Sequence, residues 1–209
     1  MPSKRVLLVE GSNDKHVILA LQGRRETRFV DKDEIVECFD CGRLLSSLPV
    51  RLDESDISQV GVVIDADSDL NARWNQIRHV LCDKGYANVP EQPVSAGTII
   101  APPPASILPT VGVWLMPDNR SSGILENFLR FLVPHGCRLF AHAETVLAGL
   151  PEKRFSQTAM PKALIHTWLA WQQDPGRPLG QAITARLLDD RVPEAEAFLH
   201  WIQRLFPPG

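Results

Sequence analysis

The chain has 209 residues, roughly 1.4 times the ~150 of a typical domain, which excludes two full-size domains and points to one domain with an appendage. Its 44% hydrophobic and 22% charged residues exclude a disordered or fibrous chain. The 22 basic and 25 acidic side chains leave a net charge of -3, which excludes nucleic-acid binding driven by overall charge and allows only a local basic face.

Four cysteines in a chain long enough to build its own core read as reduced thiols in the cytoplasm rather than as a disulfide framework. The N-terminal stretch MPSKRVLLVEG holds an apolar run of only Val6 to Val9. A signal-peptide core needs about 7–15 residues, so this stretch is expected to stay with the mature protein. No window approaches the ~20 apolar residues of a bilayer span, and no membrane partner is expected.

From residue 5 to about 130, short apolar runs alternate with amphipathic stretches, the pattern of an α/β domain with a mainly parallel sheet. RVLLVE (residues 5–10) reads as a buried strand, and Ser12 or Asn13 as the cap of a helix carrying Val17, Ile18 and Leu21 on one face. Residues 34–39 give a second strand and 44–52 a short helix. VGVVI (60–64) gives a third strand, apolar throughout as one covered on both faces should be, and it ends at Asp65-Ala66-Asp67. A helix over 71–84 places Trp74, Ile77, Val80 and Leu81 at spacings of three and four and closes at Gly85.

Six prolines make residues 86–110 mostly loop, with 98–101 as an edge strand. Residues 111–116 form a better strand, which runs through Pro117-Asp118-Asn119 into a helix over 124–133. Beyond residue 140 only amphipathic helices follow, over 144–150, 159–173, 180–189 and 194–206. The expected division is therefore an α/β domain over 1–135 and an all-helical C-terminal extension over 136–209 packed on it. Trp168, Trp171 and Trp201 stand among leucines at helical spacing and are expected in the core.

Ligands of parallel sheets bind at the carboxyl ends of the strands, and here those ends carry acids. Glu10 closes the first strand, Asp65 and Asp67 the third, and Asp118 the strand over 111–116. Asp14, Asp69 and Glu126 bring the total to seven. Acids gathered so closely raise one another's pKa and call for a cation, and hard oxygen ligands suit Mg²⁺ or Mn²⁺. Several have a purely structural reading beside this one. Asp14 and Glu126 suit the positive end of a helix, Asp69 the cap of the helix after it, and Asp118 and Asn119 a turn. Glu10 has no such reading, being a charge at the end of an apolar strand with glycine directly after it.

Leu8-Val9-Glu10-Gly11 followed by Asp14, with Val63-Ile64-Asp65-Ala66-Asp67 some 55 residues on, resembles the Toprim domain of topoisomerases, bacterial primases, small Toprim nucleases and the overcoming-lysogenisation-defect nucleases. The resemblance covers residues 5 to about 130. The 116–119 and 122–126 segments look like a stand-alone bacterial Toprim-like subgroup with a helical tail, related to the nuclease branch. The resemblance implies a compact Rossmann-like sheet, Glu10 as general acid or base, and Asp65 and Asp67 holding Mg²⁺. Asp69 matches a third acid of some members, and Glu126 an additional metal-site glutamate of the nuclease branch.

Gly11, Asp14, Lys15, Asp118, Asn119 and Arg120 are expected near the substrate, Lys15 reading either as a phosphate contact or as a solvated helix residue. Arg24, Arg25, Arg28 and Arg120 read as a backbone-binding rim or equally as a solvated face. The single tyrosine, Tyr86, has no motif around it, which argues against strand passage, and Cys38-x-x-Cys41 lacks a second pair for zinc. The expected activity is a Mg²⁺-dependent nuclease or phosphodiesterase on nucleic acid. The alternative is a non-catalytic module that binds nucleotide, nucleic acid or a protein partner, the helical tail also offering a surface for a second copy. A nucleotide-sugar transferase reading of Asp65-Ala66-Asp67 fits less well, because Glu10 would repel a pyrophosphate.

Overall fold

The computed structural model describes residues 4–25 and 28–207; residues 1–3 of the N-terminal stretch and 208–209 of the expected tail lie outside it. Its strands are β1 (Lys4–Val9), β2 (Ile35–Glu37), β3 (Ile57–Asp65), β4 (Thr98–Ile100) and β5 (Thr110–Met116). They form one sheet in the order β2-β1-β3-β5-β4, parallel except for β4, which pairs antiparallel at the edge. Burying both faces of the three central strands demands the continuous apolar runs seen there. Alternate residues then part company: Leu7, Val9, Val63, Trp114 and Met116 serve one core, and Val6, Leu8, Val62, Val113 and Leu115 the other.

The helices are α1 (Ser12–Arg24), α2 (Cys41–Leu52), α3 (Leu70–Asp83), α4 (Leu125–Phe131), α5 (Arg138–Ala148), α6 (Met160–Ala170), α7 (Leu179–Thr184) and α8 (Pro193–Leu205). α2 and α3 cover one sheet face through Leu44, Leu48, Trp74, Ile77 and Leu81. α1 and α4 to α8 contribute to the core on the other, so the sheet is doubly wound and Rossmann-like. Among the described residues, every regular element after β5 is helical. Their apolar side chains share a core with β1, α1 and β5.

Local chemistry sets the helix ends. The Asp40 carboxylate accepts from the Arg43 N–H at 2.8 Å and caps α2, and Asp69 does the same for α3 from Ala72 at 2.9 Å. Gly85 at φ +93 terminates α3, as its position in the sequence predicts. α1 starts one residue earlier than a Ser12 or Asn13 cap requires: Gly11 is the cap, and its N–H donates to Asp14 at 3.0 Å. α7 stops at Thr184, short of the expected 189, because the chain turns left-handed at Arg186 (φ +61). Trp168 and Trp201 are buried, but Trp171 is 37% exposed beside His142.

Over β5, Trp114, Phe198 and Trp201 pack ring to ring at 5.1–5.8 Å, holding α8 against the sheet. Gly61 and Gly112, paired across β3 and β5, leave the slot that Leu205 fills. Among the described residues no helix is long and apolar enough to cross a membrane.

Candidate functional site

The sheet reverses its winding between β1 and β3: from β1 the chain goes outward to β2, then returns to β3 on the other side. At such a switch point the connecting loops diverge and open a crevice at the carboxyl ends of the strands. Glu10 and Asp65 stand there, following Val9 and Ile64 on directly paired strands.

Glu10 reaches across the gap and its carboxylate accepts from the Asp65 N–H at 2.8 Å. Asp65 in turn accepts from the Leu125 N–H, in the first turn of α4, at 2.9 Å. Asp14 is 8% exposed and Glu126 3%. Four carboxylates from β1, α1, β3 and α4 thus converge where water is largely excluded. Burial, then the charges of Asp14, Glu10 and Glu126, push the Asp65 carboxyl up to about 9. Burial and the Glu10 charge push Asp14 up to about 7. Burial also raises Glu10, against the stabilising Asp65 N–H bond.

Asp67 lies at the mouth, in a left-handed conformation (φ +52) and with its side chain half exposed. There it meets Arg73 of α3, whose guanidinium pairs with it at 2.5 Å, donates to the Asp65 carbonyl at 2.9 Å and contacts the Cys41 thiol. Arg73 is one of two residues that sequence reasoning missed. One turn into α3 an arginine reads as a solvated helix residue, and only the fold brings it to the acids. Lys162 of α6, also missed, stands 3.7 Å from Glu126.

The other expected residues divide between crevice and scaffold. Gly11 borders the crevice as the cap of α1. Asp69 is engaged as the α3 cap. Asp118 folds its own turn, accepting from the Arg120 and Ser121 N–H groups at 3.0 and 2.9 Å. Buried Asn119 accepts from the Leu115 N–H at 2.8 Å, while Arg120 is exposed. Lys15 donates to the Ile35 carbonyl at 2.9 Å and sits 3.5 Å from Glu37, tying α1 to β2. Arg24 and Arg25 pair with Asp190 at 3.5 Å, and Arg25 also with Glu196, which turns these two toward the helical part, whereas exposed Arg28 lies 3.9 Å from Asp31. Tyr86 is buried with its hydroxyl donating to the Pro109 carbonyl at 2.7 Å. Burial and the acids around Cys41 push its thiol up to about 11, unlike an activated cysteine.

Among the described residues, no group of three or more His, Cys, Asp or Glu side chains is spaced to hold a metal ion. Mg²⁺ does not need one: it takes one or two carboxylates and keeps several waters. The donors are all hard oxygens, and their mutual repulsion is what a divalent cation relieves. The donor chemistry therefore fits such an ion.

Fold and site together define a doubly wound α/β protein with an acidic crevice at its switch point. Residues 4–207 match the family described as Protein of unknown function (DUF3226), and the chain belongs to that family. No curated protein and no solved structure matches it.

Proposed function

We propose that the chain is a Mg²⁺- or Mn²⁺-dependent phosphoryl-transfer enzyme, a nuclease or phosphodiesterase acting on nucleic acid, with a Toprim-like domain followed by a helical extension. The observation that carries this reading is the meeting of Glu10 and Asp65 at the switch point, with the Asp14 and Glu126 carboxylates close behind. Asp65 and Glu126 are the carboxylates to hold the cation, and Asp67 joins them when Arg73 releases it. Asp69 serves this site through the α3 cap. A bound Mg²⁺ would neutralise phosphate oxygens and activate water. Glu10, whose proton affinity is raised, is placed to give or take the proton of the reacting oxygen. Arg73 and Arg120 supply positive charge for a phosphate at the mouth.

One observation favours the alternative of a non-catalytic binding module: Arg73 already supplies Asp67 with a cation. The test is calorimetric titration with Mg²⁺ and Mn²⁺ of wild type, Glu10→Ala and Asp65→Asn, followed by a nuclease assay in the same buffer. Divalent binding lost in Asp65→Asn, with cleavage lost in both variants, is the expected result. Divalent binding without cleavage in wild type would turn the proposal into the binding module.

A further inference from the structure

We infer that the pocket at the start of α3 is a phosphate subsite, which holds a phosphate of the substrate other than the one that reacts at the carboxylates. This rests on the phosphoryl-transfer reading of the crevice and adds a second point of attachment to it.

The segments that follow Asp65 and precede Glu126 run side by side beyond the sheet. Hydrogen bonds join them in steps: the Leu125 N–H to the Asp65 carboxylate, the Asp67 N–H to the Gly123 carbonyl at 2.9 Å, and the Leu70 N–H to the Ser122 hydroxyl at 3.1 Å. At the last step opens a pocket of about 390 Å³ whose walls include Ser68, Asn71, Asn119, Arg120 and Ser122. None of Glu10, Asp14, Asp65 and Glu126 lines it. A group held there is set apart from those carboxylates yet tied to them by the same two segments.

Two independent features of the pocket call for an anion. The first is Asn119, only 2% exposed. Its Oδ1 accepts from the Leu115 N–H at 2.8 Å, which fixes the amide, because a flip would set two donors against each other. Nδ2 is thereby committed as a donor, and it has no partner among the described residues. A buried donor left unpaired costs free energy that an acceptor in the pocket would relieve. The second is the N-terminus of α3, a helix of 14 residues. Ser122 takes its Leu70 N–H and Asp69 its Ala72 N–H, while the Asn71 N–H between them has no preceding turn to accept it.

The charges agree. Arg120 is exposed at the pocket and pairs with no carboxylate among the described residues. The one acid in the wall, Asp69, is engaged as the α3 cap. Asp118, next to Arg120 in the chain, is engaged by the Arg120 and Ser121 N–H groups of its own turn. A guanidinium, an orphaned amide and a helix-end N–H are all donors, and the oxygens of a phosphate meet them with acceptors alone.

The test is a titration of the isotope-labelled full chain with inorganic phosphate, without divalent cations and beside acetate at equal ionic strength, read by NMR at the Asn71 N–H and the Asn119 side-chain amide. Both signals should move with phosphate and not with acetate. Arg120→Gln should weaken binding about tenfold. Asn119→Asp keeps the acceptor for the Leu115 N–H and exchanges the donor for a second acceptor; it should abolish binding, with the rest of the spectrum unchanged. Signals that stay still, an equal response to acetate, or wild-type affinity in Arg120→Gln overturns the inference. With Mg²⁺ present, Arg120→Gln should raise KM severalfold more for an oligonucleotide than for bis(para-nitrophenyl) phosphate, which carries no second phosphate. An equal rise would place Arg120 at the reacting phosphate and also overturn it. Cleavage retained by Asp65→Asn removes the phosphoryl-transfer reading alone, since the phosphate-dependent shifts are measured without turnover.

Discussion

Asp65 and Asp14 hold protons in the folded state that they would release in the unfolded one. Their folded values of about 9 and about 7 lie above the ordinary 3.8, so these two groups favour the cation-free fold most below roughly pH 4. It loses stability as the pH rises toward those folded values, because the unfolded chain then binds fewer protons. Asp65→Asn should remove most of that decline, stabilising the chain at pH 8 by about 1–3 kcal/mol after allowance for relaxation. Thermal melts in chelator at pH 5 and pH 8 check this, and a wild-type midpoint equal at both would count against the strained carboxylates. Mg²⁺ added at pH 8 should raise the wild-type midpoint and leave Asp65→Asn nearly unmoved. Arg73 acts in the opposite sense, as a cation already in place at Asp67. Arg73→Gln should therefore tighten Mg²⁺ binding severalfold in calorimetry, and unchanged affinity would show that the pair does not compete with the ion.

At the scale of elements, α1 and α7 meet where Gly180 permits it: a Cβ there would stand 2.6 Å from the His16 carbonyl oxygen. Backbone gives way less easily than a side chain, so Gly180→Ala should cost about 2–3 kcal/mol, measured by denaturant unfolding. A loss below half a kilocalorie would mean that the helices slide apart freely. The strands and the switch-point acids were legible in the sequence because they depend on local signals: apolar runs of strand length, Gly11 after Glu10, and Asp65 closing VGVVI. Elements whose signal is spread out were less so. α5 begins at Arg138, six residues before the expected start, because its buried stripe is Phe140, Ala143 and Leu147, in which alanine and the flanking Arg138 and His142 dilute the apolar pattern. Arg73 and Lys162 were hidden because charge partners far apart in sequence are set by topology alone.

For the molecule as a whole, the helices after β5 are part of what keeps the sheet dry. Phe198, Trp201, Ile202 and Leu205 of α8 are at most 1% exposed and share a core with Leu7, Val63 and Trp114. Residues 1–135 expressed alone would leave that face of the sheet uncovered and should show no cooperative thermal transition; a sharp melt from that fragment would establish the α/β part as independent.

The paired glycines under Leu205 also act as a keyway. In the observed alignment Gly61 faces Gly112, and the same ladder ends with Asp65 opposite Met116. Sliding β5 by one step, roughly 3.3 Å, would bring Val111 or Val113 beside Gly61, close the slot and expel the leucine. The hydrophobic key at mid-strand thereby indexes β5 against β3, so that Asp65 and the chain leading from Met116 toward Glu126 leave the sheet at matched heights.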